Sequence, residues 1–377
     1  MAFLYKYNDG TINTVITKTL TSSAHQPFVQ PGPRKASVQS TKKATDIKED
    51  GITDCRSMNY LVYTCDKKCG GLADRQKGMV GTYLLALLTD RKFVIDMTYP
   101  CEMEQFWIPN EYNWLECKEY ALSVPDNEVE EFRWFAKIQR HFMNTMNPYT
   151  VFQKKVVKLE INWYVYAYLQ KNLLKKKNVP ELQWLVGATG EEIMTKMLKY
   201  LFRTVDRSNE EIRNFYAQHV QHRQLVCGHI RYGMNHTDAN FDQTRKGRAN
   251  SSIILSYIKE HYSDTSKYTV YIAADLDVIR AQAAKELPNY VNFNKTIVHV
   301  DKLGLSHDEG CEGFYFAVLE QDVLSMCDVL IISKSGYSQM AVYRREKEGN
   351  LYYYKVETKE VVPIDRKDIF NTWTAGM

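Results

Sequence analysis

Apolar positions along this chain follow two patterns in turn. Tyr60-Leu61-Val62-Tyr63 is a short unbroken apolar run, as a buried strand requires, and Cys69-Gly70-Gly71-Leu72 after it reads as a tight turn. From Ala73 to Thr89, Met79, Val80, Tyr83, Leu84, Leu87 and Leu88 recur at helical spacing, and Lys92-Phe93-Val94-Ile95-Asp96 returns to a buried strand. Strand, glycine turn, helix and strand predict a βαβ unit. Between Asn127 and Tyr216 the periods are helical and rich in aromatics, as in Phe132, Phe135, Ile138, Phe142 and again Ile193, Met197, Tyr200, Leu201. Prolines at 125, 148 and 180 punctuate that stretch, which predicts a helical elaboration of a first domain.

After Ala217 the alternation of strand and helix resumes. Strands are predicted at Gln224 to Ile230, Tyr268 to Ala273, Thr296 to Val300 and Asp328 to Ile332, and helices near Ser251 to His261, Val278 to Glu286 and Phe316 to Met326. Runs such as Val329-Leu330-Ile331-Ile332 suit a parallel sheet covered on both faces, so the second half reads as doubly wound. Leu351-Tyr352-Tyr353-Tyr354 and Glu360-Val361-Val362 predict a hairpin appended to it. The polar stretch from residue 21 to 50 carries three prolines and no periodic apolar positions, which reads as a flexible leader or stem, with order expected from Ile52.

At 377 residues the chain exceeds what one hydrophobic core usually supports, so two domains are expected. A net charge of +4 on 49 basic and 45 acidic residues gives no global field for nucleic acid. Anion recognition must then be local. No apolar stretch is long enough to span a membrane, and Met1 to Leu20 lacks the apolar centre of a secretory signal. Of the eight cysteines, Cys55, Cys65, Cys69, Cys101 and Cys117 are the better disulfide candidates, whereas Cys227 and Cys327 sit in apolar strand-like runs and read as core thiols. Sequons at Asn235, Asn250 and Asn294 are no more than chance supplies in a chain of this length.

In a doubly wound sheet, ligands bind beyond the carboxyl ends of the strands. The first strand of the second half ends with His229, Arg231 and Gly233 at alternate positions, offering an imidazole, a forked cation and open backbone space on one side. The second ends with the carboxylates Asp275 and Asp277 at the start of a helix. The fourth ends Ser333-Lys334-Ser335-Gly336-Tyr337-Ser338, where the free N–H groups of a helix start favour phosphate. Singly, each has a plainer reading: Asp275, Asp277, Ser335 and Ser338 as helix caps, His229 as a satisfied core histidine. Their agreement at three strand ends is what capping does not predict.

These motifs, His229-Ile230-Arg231-Tyr232-Gly233, Val270 to Asp277 and Cys327 to Ser338, resemble the donor-site motifs of inverting fucosyltransferases with the GT-B fold, and the Gly70-Gly71-Leu72-Ala73-Asp74-Arg75 turn is similar to that superfamily's first glycine-rich turn. The resemblance spans residues 60 to 345. It implies an α/β chain of two Rossmann-like domains facing across a cleft: a leader over 1–51, an N-terminal acceptor-side domain over 52–217, a C-terminal nucleotide-sugar domain over 218–345, and a hairpin and tail over 346–377. It further implies transfer of fucose from GDP-fucose to a glycan or glycoprotein, with inversion and without metal or other cofactor. Arg231 would bind the diphosphate and stabilise its departure. His229, Gly233, Asp275, Asp277, Ser335, Gly336, Tyr337, Ser338, Gly70, Gly71 and Arg75 would line the donor site.

The chain departs from the family at Met234, where many members carry aspartate directly after the glycine. A single displacement usually needs a base at the acceptor hydroxyl, and Asp238 and Asp74 are the candidates. The same fold with another nucleotide sugar, or a non-catalytic nucleotide- or glycan-binding relative, are the alternatives. His219, His222, Cys227 and His229 lack the paired spacing of a zinc site. The resemblance implies the Golgi lumen if an anchor precedes the leader in a eukaryotic protein, and the cytoplasm for a microbial or viral one.

Overall fold

Helix α1 (Leu72–Leu88) crosses between two parallel neighbours, β1 (Tyr60–Cys65) and β2 (Lys92–Met97), with Tyr60 opposite Lys92. The computed structural model describes residues 54–133, 147–170, 180–233, 249–296, 298 and 306–373. The leader, Asp238, Phe135, Ile138 and Phe142 lie outside them. All six residues of β1 are buried, so its sequence shows no polar alternation. Gly70 takes φ +89°, a conformation that disfavours any side chain, and Gly71 stands at the N-cap of α1. Further along, a Cβ on Gly78 would lie 2.0 Å from the Ile161 carbonyl oxygen, so glycine is what lets α1 press against that loop.

The span from Asn127 to Tyr216 is not wholly helical. After β3 (Trp107–Pro109) and α2 (Lys118–Ser123), the strands β4 (Val129–Arg133) and β5 (Val156–Glu160) complete a parallel sheet in the order β2-β1-β5-β4. Phe132, assigned above to a helical period, therefore lies in a strand. The edge strand β4 reads VEEFR and has no fully buried residue, so it lacks the apolar run by which the inner strands announce themselves. The later part of the span is helical as expected. Helix α3 (Gly190–Leu201) starts at a capping box between Thr189 and Glu192, then β6 (Phe202–Thr204) pairs with β3, and α4 (Asp206–Phe215) follows.

The second sheet is built from β7 (Gln224–Ile230), β8 (Tyr268–Ala274), β9 (Tyr290–Val291), β10 (Val329–Ile332), β11 (Leu351–Lys355) and β12 (Glu360–Pro363). Its order is β12-β11-β10-β7-β8-β9, and only β12 runs antiparallel to its neighbour. The connecting helices are α5 (Ser251–Tyr262), α6 (Asp277–Glu286), α7 (His307–Met326) and α8 (Gly336–Arg344). One expectation changes. The edge beside β8 is the two-residue β9 rather than Thr296 to Val300; Thr296 and Val298 belong to no strand, and the rest of that stretch lies outside the described residues. The hairpin of β11 and β12 stands as expected, joined to the sheet where β11 pairs in parallel with β10.

Helix α7 is longer than its apolar pattern suggested because it is buried on several sides, which removes the one-sided period. It joins the two sheets' cores. Phe314 packs edge-on against Phe106 with ring centroids 4.8 Å apart, and Gln321 accepts a 2.6 Å hydrogen bond from Gln76 of α1. Residues 53–377 form one compact unit.

All eight cysteines are paired: Cys55–Cys117, Cys65–Cys69, Cys101–Cys311 and Cys227–Cys327. Cys227 and Cys327, expected as thiols, are thus a disulfide. Cys227 lies in β7 and Cys327 at the C-cap of α7, just ahead of the adjacent strand β10, a proximity that only the sheet order reveals, because 100 residues separate them.

Candidate functional site

At the carboxyl end of β7 the chain turns sharply, and one carboxylate organises the turn. Asp275, just past β8, accepts the backbone N–H of Tyr232 at 2.8 Å on Oδ1 and that of Gly233 at 2.6 Å on Oδ2. Its Oδ2 also lies 3.0 Å from Nη1 of Arg231. Gly233 takes φ +90°, which explains the glycine at that point of the turn. From the third strand, Ser333 Oγ accepts the Arg231 backbone N–H at 2.8 Å. Neighbours β10, β7 and β8 thereby lock the segment that carries Arg231, whose side chain remains 23% exposed. Burial pushes the Asp275 carboxyl above its usual range, while the Arg231 charge and the two backbone N–H groups oppose that shift.

His229 lies deeper than Arg231. It is 5% exposed, its ring centroid is 5.2 Å from that of Tyr337, and among the described residues its Nδ1 has no hydrogen-bond partner. Burial, and secondarily the charge of Arg231, push its imidazole down to about 3. At neutral pH it is an uncharged group, able to donate or accept one hydrogen bond at each ring nitrogen according to tautomer. The imidazole, the forked cation and the open backbone space expected on one side are therefore not equally presented. One is neutral and enclosed, the second is charged, and the third is a backbone hinge.

The serine-rich stretch is partly structural. Ser335 caps α8, its Oγ accepting the Tyr337 N–H at 3.2 Å, and Ser338 is fully buried with its hydroxyl on the carbonyls of Ser333 and Ser335. Gly336 is buried, and the Tyr337 hydroxyl donates to the Ala317 carbonyl at 2.6 Å. Ser338 thus faces inward instead of lining a ligand site. Asp277 is the first residue of α6, with Leu276 at the cap, so it is not itself the capping residue.

In the first half, Gly70 and Gly71 form the turn ahead of α1, and Asp74 in its first turn is 2.6 Å from Lys77. Arg75 has a different role from the donor contact expected above. It is fully buried, its Nε donates to the Gly70 carbonyl at 3.0 Å, Nη1 donates to the Tyr99 carbonyl, and the guanidinium lies 4.8 Å from the Phe314 ring centroid. It holds the glycine turn from below. Asp238, the other base candidate, is outside the described residues.

Two supports of the site escaped the sequence reading. Gln321 lies between Gln76 and Tyr337, donating to the Tyr337 carbonyl at 3.2 Å, and so ties the glycine-turn helix to the residue that packs on His229. Glu320 accepts from Arg280 at 2.7 Å and from the Tyr271 hydroxyl at 2.8 Å, all three being buried. The available signal was a Glu-Gln-Asp run at 320–322 inside an otherwise apolar helix. Among the described residues no group of three or more His, Cys, Asp or Glu is placed to hold a metal ion, and no helix is long and apolar enough to cross a membrane. Cys227, being in a disulfide, cannot serve as a thiolate ligand.

No family model matches the chain, and no curated protein matches it in sequence. Solved structures do match in three dimensions. NodZ alpha-1,6-fucosyltransferase soaked with GDP-fucose, from Bradyrhizobium, superposes with a TM-score of 0.50 at 12% identity over 82% of this chain and 99% of that one. A variant of Arabidopsis thaliana FUT1 in complex with GDP gives 0.54 at 12% identity over 82% of this chain and 74% of that one. The fold is that of these fucosyltransferases. It comprises the two α/β halves described above.

Proposed function

We propose that this protein is a glycosyltransferase that moves fucose from GDP-fucose to a glycan or glycoprotein acceptor with inversion. The observation that carries the reading is Arg231, held by Asp275 and by the backbone lock to Ser333 at the carboxyl ends of the central strands, in a fold shared with enzymes solved with GDP or GDP-fucose. In such a transfer the acceptor oxygen bonds to C1 of the sugar while the bond from C1 to the diphosphate breaks. The leaving group departs with the electron pair, and a preorganised guanidinium neutralises its charge. No resident cofactor is needed for that step. The first half, over 52–217, takes the acceptor side, and the second, over 218–345, takes the nucleotide.

Titration of the protein with GDP and with UDP, followed by donor hydrolysis and transfer to a glycan panel, tests the reading. GDP is expected to bind in preference to UDP, and Arg231→Ala is expected to weaken GDP at least tenfold and abolish turnover. Equal GDP affinity in Arg231→Ala overturns the assignment. Four disulfides support an oxidising compartment, in line with the secretory lumen. Finding the native protein in a reducing compartment with free thiols would contradict that location.

A further inference from the structure

A second cluster of charged side chains stands at the carboxyl end of the other parallel sheet. Arg133 at the end of β4 lies directly opposite Glu160 at the end of β5, and the segment leaving β1 brings Asp66 to the same place. Arg133 donates from Nη1 and Nη2 to Asp66 at 2.8 and 2.9 Å, and its Nε lies 2.5 Å from Glu131. Nη1 also donates to Glu160 Oε2 at 3.0 Å. One guanidinium is shared by three carboxylates, so it cannot act as a free anion receptor.

Glu160 is the unusual member. It is 3% exposed, yet among the described residues its second oxygen, Oε1, has no hydrogen-bond partner. A buried carboxylate oxygen left unpaired is costly, and a donor brought by a ligand would remove that cost. The surroundings point to which ligand. Asp66 lies in the Cys65–Cys69 loop that leads into Gly70 and Gly71, and Ile161, the residue after Glu160, packs its carbonyl against Gly78 of α1. Glu160 therefore shares its end of the sheet with the glycine turn. Burial raises its carboxyl, and nearby Asp66 adds to that, while Arg133 and Lys67 act the other way. Burial thus strengthens it as a proton acceptor while Arg133 favours its ionised form.

Resting on the transferase reading, we propose that Glu160 receives the acceptor: Oε1 accepts the hydrogen bond of the attacking hydroxyl and takes its proton as the oxygen bonds to C1 of the donor sugar. The proton ends on Glu160, and the electron pair of the broken C1–O bond leaves with the diphosphate. Asp74 already lies 2.6 Å from Lys77 on its own helix, whereas Glu160 Oε1 is unengaged among the described residues.

Glu160→Gln keeps shape and removes the proton-accepting charge. Expected are a loss of turnover of about 100-fold or more, GDP affinity within twofold of wild type, and disappearance of the acid limb of the pH profile of kcat/KM. A folded Glu160→Gln protein with turnover within threefold of wild type, or an unchanged acid limb, overturns the proposal. Should Glu160→Gln fail to fold, Arg133→Lys serves instead: weaker support of the ionised carboxylate moves the acid limb to higher pH, and an unmoved limb overturns the proposal. Wild-type protein that binds GDP but transfers nothing overturns the transferase reading and this one together. Wild-type transfer that Glu160→Gln retains overturns this one alone.

Discussion

Arg231 Nη1 and Asp275 Oδ2 lie 3.0 Å apart, and the same carboxylate receives the backbone N–H groups of Tyr232 and Gly233. One buried side chain therefore determines both where the guanidinium points and the shape of the chain leaving β7. An arginine so held loses little conformational freedom when an anion arrives, which is what preorganised charge stabilisation requires.

Asp275→Asn keeps the volume but removes the charge that faces Arg231. Breaking a largely buried pair removes the carboxylate charge from beside Arg231, and a loss of about 2–4 kcal/mol in unfolding free energy is expected by denaturant titration. GDP affinity is expected to fall about tenfold, because Arg231 is no longer oriented. A change below ~0.5 kcal/mol, within the range of an ordinary surface substitution, would show that the pair does not organise the turn.

His229 makes the folded protein sensitive to mild acid. Its folded-state value is pushed down to about 3 from 6.5, so below pH 6.5 the unfolded chain binds a proton that the folded one refuses. The stability this contributes is complete above pH 6.5 and is lost progressively as the pH falls towards 3, at no more than about 1.4 kcal/mol per pH unit. His229→Leu should flatten that part of the stability curve measured between pH 3.5 and 7. A curve as steep as that of wild type would assign the acid sensitivity elsewhere.

The Cys101–Cys311 disulfide joins the segment after β2 to α7 across 210 residues of chain. Replacing both cysteines with alanine should cost about 2–5 kcal/mol, read from chemical denaturation under non-reducing conditions. Thiol titration of the denatured, unreduced wild-type protein should find no free cysteine. One or more reactive thiols there would contradict the pairing.

Much of the fold was legible because buried parallel strands must be apolar throughout. Gln224 to Ile230 and the run ending at Ile332 were readable for that reason, and the helix of the glycine turn was placed within one residue at each end. Strand β4 was not, because an edge strand that is half exposed spells VEEFR and carries no such mark. The paired cysteines 227 and 327 were invisible for another reason, since each occupies an apolar run that a thiol would suit equally well.

For the site, sequence by itself determined which residue types stand at the strand ends: Arg231 and Gly233 after one strand, Asp275 after the next, Ser333 after a third. Only the tertiary structure decided what they do for one another. Strand order sets Asp275 on Arg231 instead of leaving it open, encloses His229 so that it is neutral, and turns Ser338 inward. It also brings Arg133, Asp66 and Glu160 together from three separate stretches of chain. Side-chain chemistry is a property of the residue, but charge state, orientation and partnership depend on burial and on neighbours distant in sequence, and these exist only once the sheets have formed.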